Sequence, residues 1–179
     1  MSSRLSSIAE LVRLAVEVNG RIAAADVNGI WQYGGPNQGA EEVDIHELVT
    51  RYDVPSDYLD LLRVTIGWSG FYHDVDLLRV DELLGSDKLE RAWMLTESAD
   101  DGAGDRLGLD RASYLPVGVS NFDIDVFLLN MEAAIGQIRW MAGSEIERFD
   151  SIEHFVKEMT SYNRETLQDL LNDPGLGAM

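Results

Sequence analysis

The 179-residue sequence contains no cysteine. Disulfide scaffolds, thiol nucleophiles, iron–sulfur clusters and thiolate zinc sites are therefore excluded, and the composition suits a reducing compartment. Basic residues are scarce. The 14 Lys and Arg residues face 32 Asp and Glu, for a formal charge of −18 and a pI ≈ 4.3. Lys88 and Lys157 are the only lysines. Such a chain is repelled by nucleic-acid phosphates and anionic membrane surfaces. Its expected electrostatic partners are cations and basic proteins, although a salt-adapted or GC-rich source yields the same composition. No apolar run reaches the ~20 residues of a membrane helix. The stretch after Met1-Ser2-Ser3-Arg4 is interrupted by Glu10 and Arg13, whereas a signal peptide has an unbroken apolar centre. The expectation is a soluble, cytoplasmic protein that binds neither nucleic acid nor membrane.

Hydrophobic residues make up 45% and charged residues 26% of the chain, which is the balance of a globular domain rather than a disordered one. Leu5, Ile8, Leu11, Val12, Ala15 and Val16 recur at helical spacing, with a plausible stop at Asn19-Gly20. Beyond it, Asn28-Gly29 fits either a hairpin turn or a loop after a continued helix. Gly34-Gly35-Pro36-Asn37-Gln38-Gly39 is a break, separating an N-terminal helical extension (1–40) from the main body (41–179). Ile45, Leu48, Val49 and Tyr52 mark a second helix. Pro55 and Asp57 open a third, striped with Tyr58, Leu61, Leu62, Thr65 and Ile66. Residues 67–70 read as a turn, 75–80 as a short strand, and 83–84 and 89–95 as short helical pieces.

Residues 98–108 read as an acidic, Gly-rich loop. After it the period becomes two, giving strands at 114–119, 124–128 and 137–140 and a fourth near Ile146 and Phe149. Ser151 caps a last helix striped with Ile152, Phe155, Val156, Met159 and Tyr162, with a possible restart at Asn163. Helices, a strand meander and a closing helix make an α+β pattern. Short connections favour antiparallel neighbours.

No motif in the chain supports catalysis. Asp100-Asp101-Gly102-Ala103-Gly104-Asp105 followed by Asp110 lacks the ligand spacing of a calcium-binding loop, so a solvated acidic loop is expected. His46, His73 and His154 form no zinc pattern, and His73-Asp74-Val75-Asp76 reads as a surface turn. Ser69 in Gly67-Trp68-Ser69-Gly70 is not a nucleophile elbow, and Gly102 and Gly104 lack the strand–helix context of a phosphate loop. No cofactor or metal is expected.

The ordered series Ile45-His46-Glu47-Leu48, Val54-Pro55-Ser56-Asp57-Tyr58 and Gly67-Trp68-Ser69-Gly70 resembles the opening of the SUKH superfamily, the domain of Smi-one/Knr-four type cell-wall assembly regulators. Gly136-Gln137-Ile138-Arg139-Trp140 resembles that family's late strand. Phe149-Asp150-Ser151-Ile152-Glu153-His154-Phe155 resembles its last turn and helix. The likeness spans residues 41–162, with Val54 where the family usually has Leu. It implies a single α+β domain, with a mostly antiparallel or mixed sheet flanked by helices, here carrying an extra N-terminal helix.

The resemblance also implies a non-enzymatic binding protein. Bacterial members are mostly immunity proteins that neutralise a polymorphic toxin, often a nuclease. Fungal members are similar to regulatory interaction modules in envelope synthesis, which is one alternative. A metal-dependent binder or enzyme using the acidic loop is another. The expected partner is a basic protein toxin. The expected contacts are Asp100, Asp101, Asp105 and Asp110 of the acidic loop, Asp74 and Asp76 of the turn, and the aromatics Trp68 and Tyr72, with Asp123 and Asp125 as further acidic positions.

Overall fold

The period-two stretch forms four consecutive strands: β3 (Tyr114–Ser120), β4 (Asp125–Asn130), β5 (Gln137–Ala142) and β6 (Glu145–Phe149). In the computed structural model, which describes residues 3–31, 33–102 and 107–172, two further strands, β1 (Trp68–Tyr72) and β2 (Val75–Leu77), complete a six-stranded antiparallel sheet. Its spatial order follows the chain from β1 to β6. The helices are α1 (Ser3–Ala25), α2 (Glu42–Arg51), α3 (Ser56–Val64), α4 (Val80–Leu84), α5 (Asp87–Gly102) and α6 (Ile152–Asn172). The molecule is thus α+β with an added N-terminal helix.

Every residue of β3 is buried, as are Val126, Phe127, Leu128 and Leu129 of β4. Successive side chains of a strand point to opposite faces, so both faces of the sheet centre are covered. Helix α5 packs on β3 and β4, and α6 packs on β5 and β6. Phe155 of α6 lies with its ring centroid 5.5 Å from Phe71, 5.0 Å from Phe127 and 5.3 Å from Phe149. Tyr58, Leu61 and Leu62 of α3 meet Val117, Ile138 and Phe155 around one small apolar void. Helix α1 lies against α6 and α3.

Several elements differ from the sequence expectation. Helix α1 does not stop at Asn19-Gly20 but runs on to Ala25. Asn19 is buried, and its amide nitrogen donates to the Phe71 carbonyl at 3.2 Å. Asn163 Nδ2 donates to Asn19 Oδ1 at 2.8 Å and to the same carbonyl at 3.0 Å. Both asparagines therefore join α1, α6 and β1 from inside their helices, and α6 needs no restart at Asn163. Residues 68–72 form a strand rather than a turn. Residues 98–102 continue α5 instead of opening a loop, because Ala99 extends the buried side of Leu89, Ala92, Trp93 and Thr96. The Asn28-Gly29 turn is the exit of α1, with Gly29 at φ 61°, and not a hairpin.

The 34–39 break is an extended strap along the outer edge of β1. The Gly34 N–H donates to the Ser69 carbonyl at 2.9 Å, and the Asn37 N–H to the Gly67 carbonyl at 3.0 Å. A Cβ on Gly39 would stand 2.0 Å from the Arg63 carbonyl oxygen, so glycine is required there by contact. The strap occupies an edge that would otherwise invite strand pairing.

Candidate partner-binding site

Three chain reversals meet at one end of the sheet. The first is the β1–β2 turn, where His73 takes the left-handed conformation at φ 50°. Among residues other than glycine, His, Asn and Asp adopt that region most readily. The second is the exit of α1, where the Trp31 N–H donates to Asp26 Oδ2 at 2.9 Å. The third is the β3–β4 turn. The Asp74 carboxylate accepts the Ser120 hydroxyl and, at 2.8 Å, the Phe122 N–H. The Asp74 carbonyl accepts the Asn121 side-chain amide at 2.9 Å. One aspartate thus ties two of the reversals together and fixes the turn that presents Phe122.

The His73 ring is sandwiched between Tyr72, at 4.1 Å, and Trp31, at 4.2 Å, in near-parallel stacks. Its Nε2 lies 3.1 Å from the Thr166 hydroxyl. Burial lowers the His73 pKa below the ordinary 6.5 despite the opposing pull of the Asp74 charge, so the imidazole is neutral at pH 7. Burial alone would raise the Asp74 pKa. The bonds from the Ser120 hydroxyl and the Phe122 amide outweigh it and hold the carboxyl below its usual range, so it is ionised. Deeper in, Tyr72 packs against Trp140 and Tyr162. Trp140 donates its indole N–H to Asp125 at 2.6 Å, yet burial keeps the Asp125 pKa above normal.

These groups border a two-lobed cleft. One lobe, of about 400 Å³, is lined by Gly29, Ile30, Trp31, Asp74, Phe122 and Asp123. The other, of about 340 Å³, is lined by Ile30, Trp31, His73, Thr166, Asp169 and Leu170. Ile30 and Trp31 are the shared wall. Phe122 is 82% exposed, an unusual position for a phenyl ring in a turn held by so many hydrogen bonds. Among the described residues, no Lys or Arg lines either lobe. Arg91 spends its guanidinium on the main-chain carbonyls of Ser120 and Asp123. Carboxylates, aromatic faces and aliphatic walls together suit a cationic group with an apolar neighbour.

The expected contact set does not converge here. Asp74 lines the cleft, and Tyr72 lies half-buried beneath it as the inner plate of the His73 stack. Asp123 lines the cleft too, while Asp125 is occupied by Trp140. Trp68 is 1% exposed, with its indole N–H donating to the Gly34 carbonyl, so it is a core residue and not a partner anchor. Asp76 is also buried. It accepts the Gly70 N–H at 2.7 Å and pairs with Lys88 at 2.7 Å.

Asp110 caps the turn before β3, accepting the N–H groups of Ala112 and Ser113. It sits at the opposite end of that strand from the cleft, about 20 Å away at ~3.4 Å per residue. Asp100 and Asp101 lie in the last turn of α5, and Asp105 lies outside the described residues. Asp74 and Asp110 therefore stand at opposite ends of β3 and do not share one face. Ile30, Phe122, Thr166, Asp169 and Leu170 were not singled out from the sequence. Phe122 alone carried a signal, as a large aromatic inside a Ser-Asn-Phe-Asp turn.

Among the described residues, no three His, Asp or Glu side chains gather as a metal site, and no helix is long and apolar enough to cross a membrane. The chain matches no protein-family model and no curated protein.

Proposed function

We propose that this chain is a non-catalytic binding protein of the SUKH type, an immunity protein that neutralises a basic, nuclease-type toxin in the cytoplasm by covering its active face. The observation that carries the reading is the cleft at the end of the sheet, where acidic and aromatic side chains meet with no Lys or Arg among the described lining residues. The order of elements supports it as well. An acidic helix, a Pro-led helix, a strand meander and a closing helix follow the series that the resemblance implies. A toxin that grips nucleic-acid phosphates must present cations, so an acidic inhibitor gains steering and complementarity.

Neutralisation by occlusion asks little chemistry of the inhibitor. It needs a preorganised surface, and the hydrogen-bonded turns at Asp74 and Ser120 supply one. The test is to look for a toxin-sized open reading frame beside the gene and to co-express its product with this chain. Growth should be rescued, and activity in the purified mixture should titrate to zero near one-to-one. Rescue that persists at a large excess of toxin would indicate turnover and overturn the reading. Absence of any rescue would overturn the toxin partner.

A further inference from the structure

The cleft has an internal asymmetry that identifies what it holds. The lobe beside Phe122 brings Trp31, Phe122, Asp74 and Asp123 together, while the lobe beside α6 is walled by Ile30, Trp31 and Leu170. We propose that the cleft receives an arginine side chain between Trp31 and Phe122, paired with Asp74 and Asp123, while an adjacent aliphatic side chain of the same basic protein partner fills the Ile30–Leu170 lobe. This rests on the binding-protein reading and names the partner chemistry of that site.

Charge complementarity selects the occupant. The chain carries −18 overall, and the guanidinium that reaches the turn among the described residues, Arg91, is already bonded to main-chain carbonyls. Both of the Asp74 bonds from Ser120 and Phe122 fall on Oδ2 and neither uses Oδ1. The Asp123 carboxylate accepts the adjacent Ile124 N–H, at 2.9 Å through Oδ1.

Aromatic walls select arginine over lysine or a metal ion. A guanidinium is planar and weakly hydrated, stacks on aromatic rings and offers forked donors to carboxylates, whereas an ammonium is a compact, strongly hydrated charge. A hard metal ion needs several oxygen ligands, and this lobe offers two carboxylates. The exposed ring of Phe122 and the 43% exposed Ile30 gain burial only when an apolar neighbour arrives with the cation.

The probes are N-acetyl-Arg-Leu-amide, its Lys counterpart and its citrulline counterpart, titrated against the full chain at low salt. The readout is the Trp31 indole N–H resonance. The arginine peptide should move it saturably. The lysine peptide should bind more weakly, and the neutral citrulline peptide should bind about tenfold or more weaker, the loss of one charge-assisted contact. Asp123→Asn and Phe122→Ala should each weaken the arginine peptide severalfold without changing the melting temperature. They serve beside Asp74→Asn, which also disturbs the turn.

Equal binding of the citrulline peptide, or no saturable shift at Trp31, would overturn the proposal. So would a Trp31 shift that follows protein concentration without peptide, since the occupant would then be a second copy of the chain. Should a cognate toxin still be neutralised by Phe122→Ala and Asp123→Asn at full strength, this surface fails while the immunity reading stands. Peptide binding without any toxin rescue would leave the surface standing and remove the immunity reading.

Discussion

Replacing Asp76 separates its two possible roles, a docking carboxylate and a structural one. Its side chain is 7% exposed. Oδ1 accepts the Gly70 N–H at 2.7 Å and the Ser69 hydroxyl at 3.1 Å, and Oδ2 takes the Lys88 ammonium at 2.7 Å. Gly70 lies within the register shift of β1, so the carboxylate holds an irregular strand in place. Asp76→Ala leaves the buried Gly70 N–H without a partner, at about 1–3 kcal/mol. It also strips Lys88 of its closest anion. Breaking a buried pair costs ~3–5 kcal/mol. Lys88 is 38% exposed and keeps Glu82 at 3.2 Å, which lowers that figure.

The working value is about 3 kcal/mol for Asp76→Ala and about 1–2 kcal/mol for Asp76→Asn, which keeps an acceptor for Gly70. At this chain length 1 kcal/mol moves the melting temperature by roughly 2–4 °C, so the alanine variant should melt roughly 6–12 °C lower. Calorimetry on the wild type, Asp76→Ala, Asp76→Asn and Lys88→Met measures this directly. The Asp76/Lys88 double variant gives the coupling. Burial alone would raise the Asp76 pKa, but Lys88 and the Gly70 amide hold it below 3.8. A depressed folded-state pKa contributes stability that is present above the unfolded value and lost as pH falls through the folded one. The gap between wild type and Asp76→Asn should therefore hold from pH 7 to about 5 and shrink below about 4. A melting temperature of Asp76→Ala within 1 °C or so of wild type would refute the buried-pair reasoning.

Three further outcomes follow from the packing. Phe155 is 1% exposed among three phenylalanines, so Phe155→Ala should cost ~3–5 kcal/mol, and an unchanged denaturant midpoint would refute its placement in the core. A Cβ on Gly136 would stand 2.9 Å from Asp57 Oδ1 and 3.0 Å from Ile152. Gly136→Ala should thus cost ~1–3 kcal/mol by overpacking, and a variant as stable as wild type in urea would contradict that. His73 should titrate below 6.5 by NMR. Since its folded-state value is the lower one, its neutral form contributes stability that is complete above about 6.5 and declines as pH falls through the folded-state value. A midpoint at or above 6.5 would contradict the buried stack.

The strands after residue 113 were legible because period two survives in them and their turns are short. Helices α2 and α3 were legible from their apolar stripes. The misreadings share a cause. Asn19 and Asn163 look like helix ends when judged by local propensity, yet each is bonded across 144 positions of sequence separation. Trp68 to Tyr72 looks like a turn because Gly67 precedes it and Gly70 lies within it, and pairing with the 34–39 strap and β2 makes it a strand. Period two ordinarily marks one buried and one open face, yet Val126 and Phe127 are both buried because helices cover both faces. Each error came from a partner distant in sequence winning over a local signal.

The site was less legible than the fold for the same reason in a sharper form. His73-Asp74-Val75-Asp76 presents two carboxylates two positions apart, and nothing local separates them. Asp74 falls in the reversal, where the β3–β4 turn meets it and leaves it at the rim of the cleft. Asp76 falls in β2, where it is 5% exposed and meets Lys88, twelve residues further on and held there by α5. In a chain with 32 acids and two lysines, the placement of one lysine decides which carboxylate is internal. Charge counting therefore bears on the sign of the proposed partner but not on the face that would meet it. The proposed face lies where α1, β1 and β3 end together, and residues such as Ile30 and Phe122 that carry no charge help to line it. A screen for partner-binding positions in this chain should start from Phe122 and Trp31, because in the proposed site they supply the aromatic surface that would hold a cation against Asp74 and Asp123.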